Sequence, residues 1–242
     1  MPLLRSHIPH PGSLAVCLLL ALTACNGAAA GCGREPSAEA PAETATDVPS
    51  PKTDDERPKI VVLGDSLTAG LGLVETQSFP SLLQQKVDGD GFEFEVVNAG
   101  VSGDTSAGGL RRLDWVLQED VRVLIVALGA NDGLRGLSPS DMKRNLEQII
   151  ETARGRHVLV ILAGMEAPPN YGAQYAASFR QAYRDLALQY RVPFIPFLLD
   201  QVAGQSTLNQ GDGIHPNAAG AAVVANTVWS VLKPMLDQLS AS

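Results

Sequence analysis

Five short runs of apolar residues recur along the chain from Lys59 onward, separated by stretches of mixed polarity. Two of them, Ile60–Leu63 and Val121–Leu128, are almost wholly Val, Leu and Ile, which is typical of strands buried in a parallel sheet. Three weaker runs are also predicted to be strands: Glu93–Val97, Val158–Leu162 and Pro193–Phe197. The last is weakened by its prolines, because proline lacks the N–H that a sheet ladder needs.

Between these runs the apolar positions change to a helical spacing. The clearest segment begins after Ser138, a favourable N-cap that is followed by Pro139 at the first helical position. Its apolar face would consist of Met142, Leu146, Ile149, Ile150 and Ala153. Further helices are predicted near Ser78–Val87, Ser106–Leu117, Ser178–Tyr190 and Ala218–Leu239. Strand and helix alternate along the chain, which predicts an α/β domain with an open parallel sheet and helices on both of its faces.

The chain before residue 58 has a different character. Arg5 and the apolar stretch Leu14–Leu22 are typical of an export signal over residues 1–25, and the stretch is too short to span a bilayer. Leu22–Cys25 resembles the bacterial lipoprotein cleavage box, so Cys25 is expected to be the lipidated first residue of the mature chain; secretory cleavage without a lipid is the alternative. Residues 26–57 are rich in Ala, Pro and Glu and predict a disordered tether.

These features predict an exported protein of the bacterial cell envelope. It would be anchored to a membrane at Cys25, on the periplasmic side if the cell is Gram-negative, with a folded domain over residues 58–242. Cys17, Cys25 and Cys32 all precede that domain, which leaves it without a disulfide or a thiol nucleophile.

Composition and charge exclude several classes of function. With 242 residues, 45% of them hydrophobic, the chain is long enough for one domain with a proper core. The net charge of −8 argues against a nucleic-acid partner. Removal of a signal leaves only His157 and His215, which are expected at opposite edges of the sheet, so no zinc site is predicted. No phosphate-binding glycine motif is complete, and no cofactor is expected.

Small and polar residues follow each predicted strand, at the edge of a parallel sheet where active sites lie. These segments are Gly64–Ser66, Asn98–Asp104, Gly129–Asp132, Gly164–Asn170 and Gly211–Pro216. A serine nucleophile needs a base, and only His215 is expected at the same edge as Ser66. Asp212 lies three residues before His215 and is suited to orient it. The plainer alternatives are that Ser66 is a helix cap and that Asp212 belongs to a turn.

An oxyanion hole is also expected at this edge. The backbone N–H groups of Ser66 and Gly103 and the side-chain amide of Asn131 are its candidate donors. Each of the three is more often a turn residue when taken alone, but together they predict a site that stabilises a developing negative charge.

Gly64, Asp65, Ser66 and Leu67, together with Gly103, Asn131, Asp212 and His215, resemble the four blocks of the GDSL/SGNH hydrolases. The match extends from Lys59 to about Leu236 and is most similar to the bacterial branch of arylesterases, thioesterases and lysophospholipases. The resemblance implies a flavodoxin-like three-layer α/β/α sandwich with a five-stranded parallel sheet. It also implies Ser66 as nucleophile, His215 as base and Asp212 as its partner, with the oxyanion hole named above. Ala130 departs from the glycine usual in this branch, which bears on acyl-chain preference.

We therefore expect a serine esterase that hydrolyses acyl esters, thioesters or lysophospholipids through an acyl-enzyme on Ser66. Two alternatives share the same fold: an envelope polysaccharide deacetylase, and a lipid- or glycan-binding lipoprotein without catalysis.

Overall fold

A computed structural model describes residues 57–118 and 120–241. The export signal, Cys25 and nearly all of the tether lie outside these residues. The described chain forms a sheet of five parallel strands in the order β2-β1-β3-β4-β5. The strands are β1 (Lys59–Gly64), β2 (Glu95–Gly100), β3 (Val121–Ala127), β4 (Leu159–Ala163) and β5 (Phe194–Ile195). This order is that of the flavodoxin-like fold, so the predicted fold class is confirmed.

Eight α-helices connect and cover the described strands. They are α1 (Ser66–Ala69), α2 (Phe79–Gly89), α3 (Ser106–Arg111), α4 (Leu113–Val116), α5 (Ala130–Leu134), α6 (Pro139–Gly155), α7 (Ala173–Tyr190) and α8 (Ala218–Ser240). α2 packs against α8, while α6 packs against both α3 and α7. Two helical layers therefore enclose the sheet, whose central strands β1 and β3 are almost fully buried.

The predicted elements differ from the structure most clearly at four places, one of which is β5, where only Phe194–Ile195 of the predicted Pro193–Phe197 is strand. β2 begins at Glu95 and continues to Gly100, although Asn98 is exposed, because it is an edge strand and needs no continuous apolar run. The helix expected over Ser106–Leu117 is divided at Arg112 into α3 and α4. α7 begins at Ala173 rather than near Ser178, and no side chain caps its first turn.

The N-terminus of α6 matches its sequence signal. Ser138 accepts a hydrogen bond from the Asp141 N–H at 3.3 Å, and Pro139 occupies the first helical position. All five residues of its predicted apolar face are buried: Met142, Leu146, Ile149, Ile150 and Ala153. The 3.6-residue period therefore identified the face that packs on the sheet.

Judged by length and composition alone, α8 could cross a bilayer. Its apolar face is nevertheless part of the core of the domain, through Val224, Val228, Leu232 and Leu236. We interpret α8 as a core helix that covers one face of the sheet.

Candidate active site

Ser66 is the first residue of α1 and directly follows the tight turn, Gly64 and Asp65, at the end of β1. Asp65 caps α1 by accepting a hydrogen bond from the Leu67 N–H at 3.0 Å. Gly64 has no room for a side chain, because a Cβ atom there would lie 1.9 Å from Thr68 Oγ1. The turn therefore holds Ser66 close to the end of β1. The strand order reverses between β1 and β3, and ligands of open α/β sheets bind at such a point.

Ser66, His215 and Asp212 form a continuous hydrogen-bonded chain. Ser66 Oγ lies 2.9 Å from His215 Nε2, and His215 Nδ1 lies 2.6 Å from Asp212 Oδ2. The Asp212 carboxylate accepts a hydrogen bond from Nδ1–H, which keeps the ring proton on Nδ1, so the lone pair of Nε2 faces the serine hydroxyl. The three side chains have the geometry in which a histidine takes a proton from a serine.

The loop that carries His215 is organised by Asp212. Asp212 Oδ1 accepts hydrogen bonds from the Ile214 N–H at 2.9 Å and the His215 N–H at 3.0 Å. These backbone bonds, and next the bond to the His215 ring, hold the pKa of Asp212 well below its ordinary value. The carboxylate thus stays ionised in mildly acidic solution. Asn217 follows and caps α8 by accepting from the Gly220 N–H at 3.0 Å, which anchors the loop to a long helix.

The three candidate donors of the oxyanion hole lie around one cleft. Ser66, Gly103 and Asn131 all line it, together with His215. Gly103 adopts a positive φ of 85°, a backbone conformation that glycine accepts without strain. Asn131 is in the first turn of α5, and Ala130 beside it also lines the cleft. The loops after β1, β2 and β3 therefore meet at Ser66, as the sequence predicts.

Asp65 holds the side chain of Asn131. The Asn131 amide donates one hydrogen bond to Asp65 Oδ2 at 3.3 Å, which leaves its second N–H available to a ligand in the cleft. Asp65 is only 1% exposed, and burial raises the pKa of its carboxyl group to about 6. The Leu67 N–H and the Asn131 amide oppose that rise, because both stabilise the ionised form.

We expect Asp65→Asn to remove a pH-dependent cost of folding. The Asp65 pKa is raised to about 6 in the folded protein from an ordinary value of 3.8. The folded state therefore holds this proton between those two pH values while the unfolded state has lost it, so the wild type becomes less stable as the pH rises from about 4 to about 6 and changes little above that. Relative to the wild type, the variant should be more stable at pH 7.5 than at pH 4 by a further ~2 kcal/mol.

Urea unfolding of both proteins at several pH values measures this difference. Asp200→Asn, which removes the same charge at an exposed position, is the control. A stability difference for Asp65→Asn that is the same at pH 4 and pH 7.5 would contradict the assignment.

Two polar networks, which local sequence patterns do not reveal, fix the loops of the site. The Arg112 guanidinium donates to Asp104 Oδ2 at 2.7 Å and to the Gly64 carbonyl at 2.9 Å, which joins the loop after β2 to the end of β1. The buried Asp132 accepts from both the backbone N–H and the hydroxyl of Ser106, at 2.7 and 2.6 Å. This second network joins the loop after β3 to the start of α3.

The cleft beside Ser66 is largely apolar and has a volume of about 590 Å³. Its walls come from the loops after all five strands. The large apolar side chains that line it are Leu67, Leu71, Leu134, Met165, Phe197, Leu199 and Ile214. Such a lining suits an acyl chain.

No metal centre is evident in the part of the chain that the structure describes. In residues 57–118 and 120–241, no group of three or more His, Cys, Asp or Glu side chains is placed to hold an ion. His157 lies between α6 and β4, at the edge of the sheet opposite Ser66. Of the two histidines in the domain, only His215 reaches the cleft.

Comparison with known proteins gives a consistent assignment. The model of the GDSL-like Lipase/Acylhydrolase family matches residues 62–223. Esterase TesA of Pseudomonas aeruginosa is 43% identical over 178 residues, which are 73% of this chain and 89% of the relative. Thioesterase 1/protease 1/lysophospholipase L1 of Escherichia coli is 36% identical over 74% of this chain and 85% of its own length.

A solved structure extends the likeness to three dimensions. The psychrotrophic esterase EstA from Pseudoalteromonas, crystallised as inhibited by monoethylphosphonate, superposes with a TM-score of 0.71 at 32% identity, covering 74% of this chain and 99% of that one. The chain therefore belongs to the GDSL-like lipase/acylhydrolase family and is a serine hydrolase that acts on ester bonds.

Proposed function

We propose that Ser66 is the nucleophile of this hydrolase, with His215 as its general base and Asp212 as the partner of His215. The observation that carries the proposal is the continuous chain from Ser66 Oγ through the His215 ring to Asp212, with contacts of 2.9 and 2.6 Å. A serine that served only as a helix cap would not need a histidine at this distance. Asp65, not Ser66, caps α1.

The reaction proceeds in two steps on these residues. Ser66 Oγ attacks the carbonyl carbon of an ester or thioester while His215 Nε2 takes its proton. His215 then returns that proton to the departing alcohol or thiol, which leaves an acyl group on Ser66. Water attacks the acyl-enzyme and loses a proton to His215, which returns it to Ser66 Oγ as the acyl–oxygen bond breaks and the free acid is released.

We infer that the Ser66 N–H, the Gly103 N–H and the Asn131 amide donate to the carbonyl oxygen as it becomes negative. All three line the cleft that holds Ser66. Donors that are fixed before reaction need no reorganisation in the transition state, which makes them effective. The Asp65 contact to Asn131 and the Arg112 bridge from Asp104 to Gly64 support this rigidity.

The cleft favours acyl esters and thioesters over acetyl esters of a polysaccharide. An acetyl group would leave most of the 590 Å³ apolar cleft unfilled, whereas a longer chain would bury its methylenes there. Relatives named as an esterase and as a thioesterase and lysophospholipase support the same substrate class. A binding protein without catalysis would not require Ser66, His215 and Asp212 in hydrogen-bonded order.

We further propose that the protein is exported and anchored to the bacterial envelope through a lipid on Cys25. Support comes from the sequence: a short apolar stretch, the box ending at Cys25, and a segment rich in Ala, Pro and Glu before the domain. Such an arrangement keeps the hydrolase near a membrane.

One experiment tests the nucleophile and the anchor together. The full chain is produced in a Gram-negative host, and the envelope fraction is treated with a fluorophosphonate and analysed by mass spectrometry. We expect one phosphonyl adduct on Ser66 and an N-terminal peptide that begins at an acylated Cys25. A phosphonate is chosen because the similar esterase EstA is inhibited by one.

The control is Ser102→Ala, since Ser102 also lines the cleft and this variant should still be labelled on Ser66. Ser66→Ala should not be labelled. An adduct on another serine would contradict the assignment of Ser66 as nucleophile. A mature chain that begins at another residue and carries no acyl group would contradict only the lipid anchor.

A further inference from the structure

Large apolar side chains are exposed around the mouth of the cleft. Seven of the eleven such side chains in the described residues lie at the carboxyl edge of the sheet, and the loop after each of the five strands contributes at least one. We call this set the apolar rim, and it consists of Leu71, Val74, Val101, Leu134, Leu137, Tyr171 and Ile214. Single exposed leucines are ordinary, but a group that surrounds an active site marks an interaction surface.

Hydrogen bonds between loops hold the rim in place. The Gln210 amide donates to the Leu71 carbonyl at 2.7 Å, which joins the loop before His215 to the loop after β1. The Tyr171 hydroxyl donates to the Leu134 carbonyl at 3.0 Å, which joins the loops after β4 and β3. The rim is therefore a formed surface with its apolar side chains directed away from the core.

The rim is continuous with the substrate cleft. Leu71, Leu134 and Ile214 belong to both, because each is exposed and also lines the cleft. If the rim contacts a lipid surface, an acyl chain can move from the lipid into the cleft along these apolar side chains without entering water. Transfer along such a path avoids the free-energy cost of hydrating the chain.

The charge of the surrounding loops selects one type of surface. Arg135 is the only Lys or Arg in the loops 65–78, 101–105, 128–138, 164–172 and 196–217. Its guanidinium donates to the Gly103 carbonyl at 2.8 Å. The same loops contain seven acidic residues, among them Glu75, Glu166 and Asp212. This balance disfavours an anionic membrane and is compatible with a zwitterionic one.

We propose that the apolar rim docks onto the surface of zwitterionic lipid, such as a phosphatidylcholine bilayer or a lysophospholipid assembly, so that substrate enters the cleft directly from the lipid. The proposal rests on the proposed hydrolase function, because that function gives the reason for contact with lipid. The rim binds by shallow insertion of its side chains, as peripheral proteins do.

The chain that precedes the domain is long enough to permit this contact. The described residues begin at Arg57, beside the amino end of β1 and therefore at the edge of the sheet opposite the rim. Residues 26–57 could extend to roughly 100 Å at ~3.3 Å per residue. A domain of this size has a diameter of about 40 Å. A chain held at Cys25 therefore reaches far enough for the rim to face the same membrane.

Vesicle flotation with residues 25–242 carrying Cys25→Ser tests the proposal, because neither a lipid anchor nor the apolar stretch Leu14–Leu22 of the export signal can then contribute. The rim variant adds Val74→Ser and Leu137→Ser, at residues that are 62% and 42% exposed and do not line the cleft. The matched control adds Trp115→Ser and Leu188→Ser, at residues that are 70% and 77% exposed and lie away from the rim. The probes are vesicles of phosphatidylcholine, with and without phosphatidylglycerol.

We expect the Cys25→Ser chain to float with phosphatidylcholine vesicles. The rim variant should partition about tenfold less, and the control within about twofold of the parent. All three should hydrolyse a short, monomeric p-nitrophenyl ester equally well. Hydrolysis of micellar lysophospholipid should fall only in the rim variant.

Three results would overturn the proposal: no flotation of the parent, an equal loss in the control, or binding that requires phosphatidylglycerol. A second copy of the chain is the other possible occupant of the rim. If the parent dimerises in analytical ultracentrifugation but does not float, and the rim variant loses the dimer, that combination would assign the rim to a contact between two copies of the chain. Failure of the hydrolase assignment is separate, since it would appear as no turnover of the monomeric ester by the parent.

Discussion

Ser66→Ala is expected to lower kcat for a short p-nitrophenyl ester by a factor on the order of 10⁶, the loss seen when a triad nucleophile is removed. The residue supplies the oxygen that is acylated, and no other hydroxyl in the described chain is hydrogen-bonded to His215. A residual acceleration of about 10³–10⁴ over water should remain, because the oxyanion donors and the cleft are unchanged. KM should change little, since the hydroxyl adds little to ground-state binding.

Steady-state kinetics of the wild type and the variant at pH 8 measure this loss. Ser102→Ala, a serine-to-alanine change in the same cleft, is the matched control and should keep kcat within about tenfold of the wild type. Retention of more than a tenth of wild-type kcat by Ser66→Ala would show that another residue is acylated.

The second large effect is expected for Asp212→Asn, with kcat reduced about 10³–10⁴-fold. The asparagine oxygen still accepts from the Ile214 and His215 N–H groups, so the loop keeps its shape. The amide nitrogen then faces His215 Nδ1, where the carboxylate lay 2.6 Å away. Because an amide N–H donates and cannot accept, Nδ1 must become the acceptor, and the ring proton moves to Nε2. His215 then has no lone pair for the Ser66 proton.

Kinetics on the same ester, together with thermal unfolding to show that the fold is intact, check this expectation. Asp200→Asn is the control, at an exposed carboxylate that does not line the cleft, and should be fully active. If Asp212→Asn lost less than tenfold in kcat with an unchanged melting temperature, His215 would not depend on Asp212 for its tautomer.

The chemistry of the site could be expected from residue types and their place after the strands. Ser66, Asp212 and His215 follow strands whose carboxyl ends must share one edge of a parallel sheet. The fold imposes that convergence once the strands are known. In the same way, Ser138 and the apolar period after it specified α6, because capping and helical periodicity are local properties of the sequence.

Contacts between distant segments could not be predicted in this way. The division of the helix at Arg112 accompanies hydrogen bonds to Asp104 and to the Gly64 carbonyl, the latter 48 positions away along the chain. The Asp65 contact with Asn131 is another such case, and it identifies a buried carboxylate that the sequence shows only as part of a motif. Neither contact changes the local spacing of apolar and polar residues or the capping residues, which are the local signals from which the elements were predicted.

The sequence by itself determined the α/β class, the strands and helices with the strongest periodicity, and the residue types of a serine hydrolase. Only the tertiary structure decided how the loops are joined and what surrounds the site: the 2.9 Å contact of Ser66 with His215, the apolar cleft, and the rim at its mouth. The physical reason is that periodicity reports which face of an element is buried. The exposure of Leu71, Leu137 or Tyr171, by contrast, depends on loops that meet across the sheet.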